Sequence, residues 1–204
     1  MNLQDELKRK SLHLLLILIP IAFCLLGQKI FLSIIIPISI IIVSLDYYRR
    51  KNLIIQQFFL KIFSTILRPH ELSGLKLCGA SYVALSSSIS FLLFPKAIAV
   101  IGFTILVISD TLASLIGKSV KSQPFFEKSF AGSMAFFISA ILILFFLGWL
   151  FEVKILFYLF GLISIIFITG LEARPSIIGI DDNFVIPIGF GIAMYFFNFM
   201  WNFI

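Results

Sequence analysis

The chain is short of the residues that water-soluble proteins rely on. Only 13% of its 204 residues are charged, against about a quarter in a soluble domain. Hydrophobic residues make up 60%, and the mean hydropathy is +1.11. Such a chain cannot hide its apolar surface in one water-soluble core, so a soluble globular enzyme is excluded and an integral membrane protein is expected. Cysteine is scarce too. Cys24 and Cys78 each lie in an apolar stretch with no second ligand type nearby, so both are expected to be buried small hydrophobes and not a metal or disulfide pair. No low-complexity tract, linker, internal repeat or soluble domain interrupts the sequence. The formal net charge is +6, but the lysines and arginines are dispersed between apolar runs. That argues against nucleic acid as a partner and for topology signals and contacts to lipid headgroups or phosphates.

What is abundant is the long apolar run. Lys8-Arg9-Lys10 followed by apolar residues imitates a signal peptide, but nothing like a mature soluble domain follows, so a first membrane span is expected. Seven stretches, 11–27, 30–45, 77–94, 97–117, 130–151, 155–171 and 184–204, approach the roughly 20 residues that a crossing needs. Each must be helical, because an isolated strand in lipid leaves its backbone unpaired. The second is short, and its flanking Lys29 and Arg49 are expected to snorkel to the interfaces. Segment 53–67 differs: Gln57, Lys61, Ser64 and Thr65 fall on one helical face and phenylalanines and isoleucines cover the rest, as in a helix lying in the interface. As an eighth span it would reverse everything downstream. Charge bias decides between the two. With a cytoplasmic N-terminus and 53–67 lying flat, thirteen of the sixteen basic residues face the cytoplasm and only Lys29, Lys96 and Lys154 face away. Trp149 and Trp201 then fall at the far interface. The expected architecture is one integral membrane domain over residues 1–204, an all-α polytopic helix bundle of about seven transmembrane helices plus one interfacial amphipathic helix.

The same topology gathers every carboxylate except Glu152 at the cytoplasmic face, together with the lysines. The most demanding of these is Asp110, near the end of an apolar span, where an acid is costly without a cation, a cavity or a partner. Asp110, Ala113, Ser114 and Gly117 recur at helical spacing. Close helix packing explains the small residues but not the acid. Ile116-Gly117-Lys118-Ser119 ends like a phosphate-binding P-loop, yet Leu112 stands where the leading glycine belongs and no strand precedes it, so that motif is rejected. Ten residues on, Lys128-Ser129 precedes Gly132-Ser133 at the start of a span. Ser129 suits an N-cap, and free N–H groups beside a glycine suit phosphate oxygens. Glu172 and Asp181-Asp182-Asn183 offer oxygen ligands to a hard cation such as Mg²⁺, or a turn and a helix cap. At the N-terminus Glu6, Lys10 and His13 share a face with Arg9 beside it, either a topology-setting basic patch or part of the site. His70 and Glu71 suit a solvated turn.

These segments, Glu6-x-x-Arg9-Lys10-x-x-His13, Ser109-Asp110-x-x-Ala113-x-x-x-Gly117-Lys118, Lys128-Ser129-x-x-Gly132-Ser133, then Glu172 and Asp181-Asp182-Asn183-x-x-x-Pro187, occur in an order that resembles the polyprenol/dolichol kinase family. Phytol kinase and CTP-dependent diacylglycerol kinase are among its relatives. The resemblance covers essentially the whole chain. It implies a multi-pass enzyme that transfers a phosphoryl group from a nucleoside triphosphate, commonly CTP, with ATP or UTP also open, to a lipid alcohol at the cytoplasmic interface. In that frame Asp110, Asp181, Asp182 and Glu172 hold Mg²⁺. Arg9, Lys10, Lys118 and Lys128 bind phosphates, Gly117, Ser129, Gly132 and Ser133 line the nucleotide cradle, and Asp182 is one carboxylate that can orient or deprotonate the hydroxyl. The rivals are a phosphatidate cytidylyltransferase-like enzyme and a small transporter. The cytidylyltransferases share an Asp–Lys segment like that around Asp110 but carry a basic Lys-Arg-x-x-Lys-Asp stretch near the C-terminus. Here that region reads Ile180-Asp181-Asp182-Asn183, which favours a kinase.

Overall fold

The computed structural model describes residues 3–63 and 77–203. The chain folds into helices in the order α1 (Leu3–Leu14), a 3-10 turn (Leu15–Ile17), α2 (Leu18–Leu26), α3 (Gln28–Tyr48), α4 (Leu53–Phe63), α5 (Gly79–Leu93), α6 (Lys96–Ser119), α7 (Phe130–Leu150), α8 (Ile155–Glu172), the short α9 (Pro175–Ile178) and α10 (Asp182–Trp201). Between α6 and α7 two strands, β1 (Pro124–Phe125) and β2 (Lys128–Ser129), pair antiparallel as a minimal hairpin.

Among the described residues six helical stretches are long and apolar enough to cross a membrane, the first running from Glu6 to Leu26 through α1, the 3-10 turn and α2. The helices expose Ile30, Ile34, Ile38 and Ile41 along α3, Phe145, Phe146 and Trp149 on α7, and Phe196, Phe199 and Met200 on α10. Apolar surface on this scale is stable in hydrocarbon and not in water. The protein is therefore a multi-pass, all-α membrane helix bundle.

Three expectations change in detail. The stretch at 77–94 forms α5, whose 15 residues are fewer than a usual crossing, yet it runs the length of α3, with Cys78 beside Asp46 at one end and Phe91 beside Gln28 at the other. The second span is not short: α3 has 21 residues. Arg49 does not snorkel. It is 3% exposed, donates from Nε to Asp46 Oδ1 at 2.6 Å, and lies over the Phe59 ring of α4 at 4.6 Å. The other Asp46 oxygen accepts from Cys78 N and Ser81 Oγ, both at 2.7 Å, so this buried acid ties the end of α3 to the start of α5. Cys78 is buried as expected, whereas Cys24 is exposed on α2. In α4, Gln57 and Lys61 are exposed, but so are Leu53, Ile54 and Phe58, as an interfacial helix requires. Ser64, Thr65, Arg68, His70, Glu71 and Lys76 lie outside the described residues.

At the centre runs α6, flanked by α1, α5, α7 and α10. It is apolar all round because it is enclosed all round, with Ile98, Ile101, Phe103, Ile105 and Leu106 fully buried. Small residues set the helix separations: a Cβ at Gly102 would meet Phe190 at 3.0 Å, and one at Gly132 would meet the Ala113 carbonyl of α6 at 2.8 Å. Buried hydroxyls turn back on their own helices, as Thr111 does to Val107 O (2.6 Å) and Ser164 to Phe160 O (2.8 Å), which satisfies them without a partner helix. Trp149 and Trp201 sit exposed near the C-terminal ends of α7 and α10. The N-terminal ends of those two helices, the C-terminal ends of α6 and α8, and the first turns of α1 meet at the opposite end of the bundle, where the charges collect.

Candidate functional site

The site begins with two antiparallel helices. Along α1, Glu6 and Lys10 stand one turn apart. Along α6, Asp110, Ser114 and Lys118 do the same, so the rows face each other in register. Lys118 donates to Glu6 Oε2 at 2.7 Å, Ser114 donates to Glu6 Oε1 at 2.6 Å, and Arg9 pairs with the same Oε1. Glu6 is 2% exposed and serves three donors. One turn deeper, the Lys10 ammonium pairs with Asp110 Oδ2 and also donates to the Asp110 carbonyl at 3.2 Å. His13 follows, its Nε2 3.5 Å from Leu106 O and 3.8 Å from Asp110 Oδ2.

Across the cavity the hairpin delivers Lys128. Phe126 at its tip has φ of 56°, a left-handed conformation that costs a bulky residue energy and needs support from its surroundings. The Arg174 guanidinium supplies it, 3.4 Å from the ring centroid. Glu127 adds a backbone bond to Ala173 O at 3.1 Å and a carboxylate that accepts from Ser176 N at 3.3 Å and from its hydroxyl. The hairpin is thus strapped to the link between α8 and α9, beside Glu172. The Lys128 ammonium bonds Glu172 Oε1 and, at 2.8 Å, Asp182 Oδ2. Burial opposes its charge, but Asp182, Glu172 and Asp110 outweigh burial and hold the ammonium well above its ordinary range.

The last residue of the hairpin, Ser129, caps α7, its hydroxyl accepting from Gly132 N at 3.2 Å. A Cβ at Gly117 would meet that same Ser129 Oγ at 2.7 Å, so the glycines let the end of α6 and the start of α7 cross closely. On the far wall Asp181 caps α10, accepting from Asn183 N at 3.0 Å, and the next residue, Asp182, turns inward.

Three carboxylates converge. Ligand oxygens of Asp110, Glu172 and Asp182 all lie within 4.8 Å of one another. Glu172 is 1% exposed, and its Oε2 is buried without a hydrogen-bond partner. A hard divalent cation suits a cage of carboxylate oxygens of this kind. A cavity of about 690 Å³ opens over the triad, lined by Glu6, Arg9, Lys10, Asp110, Ala113, Ser114, Gly117, Lys118, Lys128, Ser129, Gly132, Glu172, Pro175 and Asp182. Its side chains can do two things chemically: chelate a cation, and present ammonium and guanidinium groups to an anion beside it.

Of the residues singled out in the sequence, Asp110, Lys118, Lys128, Gly117, Ser129, Gly132, Arg9, Lys10, Glu172 and Asp182 line this one cavity. Asp181 and Ser133 do not. Asp181 serves as the helix cap, and Ser133 is buried beneath the cradle with its Oγ unpartnered. Lys10 is 2% exposed and committed to Asp110, so it neutralises the acid and is poorly placed to reach a phosphate. Sequence reasoning missed the hub role of Glu6, although its spacing to Lys10 carried the signal. It also missed the hairpin and its Arg174–Phe126 stack, for which a four-residue pairing with a left-handed phenylalanine leaves no pattern.

Fold and site together define a class: a multi-pass helical membrane protein with a charged, carboxylate-lined cavity at one end of its bundle. Within that class the chain is 32% identical over 200 residues to the uncharacterized protein RP860 of Rickettsia prowazekii (strain Madrid E), an alignment that covers 96% of each chain. It is also 31% identical over 185 residues to the uncharacterized protein MJ1137 of Methanocaldococcus jannaschii, covering 89% of this chain and 88% of that one. The chain belongs to the family of these proteins. No family model and no solved structure matches it.

Proposed function

We propose that the protein is a lipid-alcohol kinase, of the polyprenol/dolichol kinase kind, that uses a nucleoside triphosphate, CTP first among the candidates. The observation that carries the proposal is the convergence of Asp110, Glu172 and Asp182 within 4.8 Å, ringed by Arg9, Lys118 and Lys128 at the end of apolar helices. Phosphoryl transfer asks for charge neutralisation and in-line positioning more than for covalent machinery, and these side chains offer both. The donor set fits Mg²⁺: hard oxygen ligands, three carboxylates, and one buried carboxylate oxygen without a partner. When bound there, Mg²⁺ would be held by Asp110, Glu172 and Asp182 and would supply positive charge that neutralises phosphate oxygens.

The remaining roles fall to the chain itself. Lys118 and Arg9, presented by Glu6, receive the outer phosphates. Lys128 follows the transferred group as a point charge. The start of α7, with Ser129 and Gly132, lets an anion approach the helix N-terminus. The lipid hydroxyl oxygen attacks the γ-phosphorus. The bond to the bridging oxygen breaks with its electron pair on the departing nucleoside diphosphate, and the hydroxyl proton passes to a carboxylate, Asp182 being the most exposed of the triad. The exposed apolar faces of α3, α7 and α10 hold the protein in the bilayer, which supports a surface reaction on a membrane-borne alcohol. The positive-inside bias supports a cytoplasmic orientation for this end, and an inner-membrane location in a bacterial cell is part of the same proposal.

The test uses purified protein in detergent or liposomes, a panel of polyprenols, phytol-like isoprenoid alcohols, diacylglycerol and phosphatidate, and CTP, ATP or UTP labelled at the α- or γ-phosphate. Label from the γ position in the lipid, with nucleoside diphosphate released, supports the kinase. Label from the α position with pyrophosphate released assigns a cytidylyltransferase instead. No labelled lipid from any pair refutes both, and nucleotide-independent flux into proteoliposomes assigns a transporter.

A further inference from the structure

We infer that Lys128 is an internal counter-ion that closes the carboxylate cage to a free divalent cation, so that the cage opens only when an anion draws the lysine away. The inference rests on the metal role given to the triad above, and goes beyond it by fixing when a cation can enter.

The geometry carries it. Three carboxylates within 4.8 Å of one another cannot all stay charged without compensation. Two ammonium groups supply it, and they are built differently. Lys10 sits on α1, 2% exposed, and its bond to the Asp110 carbonyl as well as the carboxylate fixes it to the backbone of α6. Lys128 bridges Glu172 and Asp182 from a two-residue strand, and its side chain is 28% exposed at the cavity wall. An ammonium on Glu172 Oε1 and Asp182 Oδ2 occupies one oxygen of each carboxylate and repels a divalent cation at contact distance. Lys10 therefore stays and Lys128 is the group that can leave. It has somewhere to go: the cavity it lines also holds the start of α7, where an anion would sit between Lys128, Lys118 and Arg9. A second oxygen of Glu172, buried and unpartnered, marks a coordination position that the lysine does not fill. The consequence is ordered entry. A free cation meets a cage already neutralised, whereas a cation arriving with an anion offers Lys128 a new partner and takes its place.

The experiment measures Mn²⁺ binding to the full-length protein in detergent by electron paramagnetic resonance, with no nucleotide and no added lipid. Wild type should bind Mn²⁺ weakly. Lys128→Met and Lys128→Gln should each bind it at least about tenfold more tightly, since removing one positive charge at contact distance is worth more than a factor of ten. Lys128→Arg, which keeps the charge, should resemble wild type. Adding Asp182→Asn to Lys128→Met should abolish the gain. Equal Mn²⁺ affinity in wild type, Lys128→Met and Lys128→Gln overturns the inference, and so does a gain that survives Asp182→Asn. Two neutral variants are used so that misfolding of one does not decide the matter. Because no nucleotide or lipid is present, a failed kinase assay leaves this result standing, and a flat Mn²⁺ response leaves the kinase assay to be judged on its own products.

Discussion

Replacing Asp110 by Asn tests the centre of the site, and the outcome turns on Lys10. From sequence alone Asp110→Asn is expected to remove activity and leave folding untouched. The structure alters that expectation. Lys10 is 2% exposed and has Asp110 as its carboxylate partner, so the asparagine leaves an ammonium buried without its counter-charge. Breaking a buried pair by removing one member costs about 3–5 kcal/mol. Asn still accepts one hydrogen bond from the lysine, so the lower end, about 3 kcal/mol, is expected here. In a Lys10→Met background the same Asp110→Asn change removes only the longer His13 contact at 3.8 Å and should cost about 1 kcal/mol or less. The double-mutant cycle should therefore give a coupling of about 2 kcal/mol or more, where unlinked sites add to within about 0.5 kcal/mol. Reversible unfolding in mixed micelles, followed by far-UV circular dichroism, measures all four variants. Additive costs would refute the pairing. Activity assays on the same four proteins separate stability from chemistry, since Lys10→Met/Asp110→Asn should be folded and still inactive.

Three further outcomes follow from other parts of the site. Glu6→Gln should release Arg9 and Lys118 from their shared acceptor and raise the KM for nucleotide about tenfold, a loss of about 1.4 kcal/mol, with kcat changed less; an unchanged KM with a reduced kcat would contradict the hub role. Gly132→Ala pushes a methyl group toward the Ala113 carbonyl at 2.8 Å, so α6 and α7 must part, and thermal unfolding should register a loss of about 1–3 kcal/mol. The pH dependence of Lys128 has a fixed sign: its ammonium is held above the ordinary 10.5, so its contribution is complete below that value and is lost only as pH rises through the higher folded value. The stability difference between wild type and Lys128→Met should accordingly not shrink as pH rises toward about 10, and a decline on that rise, read by chemical denaturation, would show that the acids do not hold the ammonium.

Hydropathy and charge spacing made the class legible. Apolar runs of near-crossing length announce membrane helices because each helix satisfies its own backbone, whatever its neighbours are. Gly117, Gly132 and the Ser129 cap were legible for the same reason, since close approach and capping are local properties of a few residues. Among the expectations that changed in detail, the snorkelling Arg49 failed because a buried acid, Asp46, lies within reach of that arginine and pulls it inward, which flanking composition does not reveal. Asp181 and Asp182 are adjacent and chemically identical, yet one caps α10 and the other faces the cavity; only the direction in which the chain enters the helix separates them.

The sequence by itself determined that this is a helical membrane protein with its acids and bases gathered toward one face, because hydrophobicity is summed residue by residue along the chain. Tertiary structure alone decided which charge meets which. Lys10 and Asp110 stand 100 residues apart, Glu6 and Lys118 112, and Lys128 and Asp182 54. Those pairs exist because helices pack at particular faces and depths, and an electrostatic interaction depends on distance in space, which the order of residues does not contain.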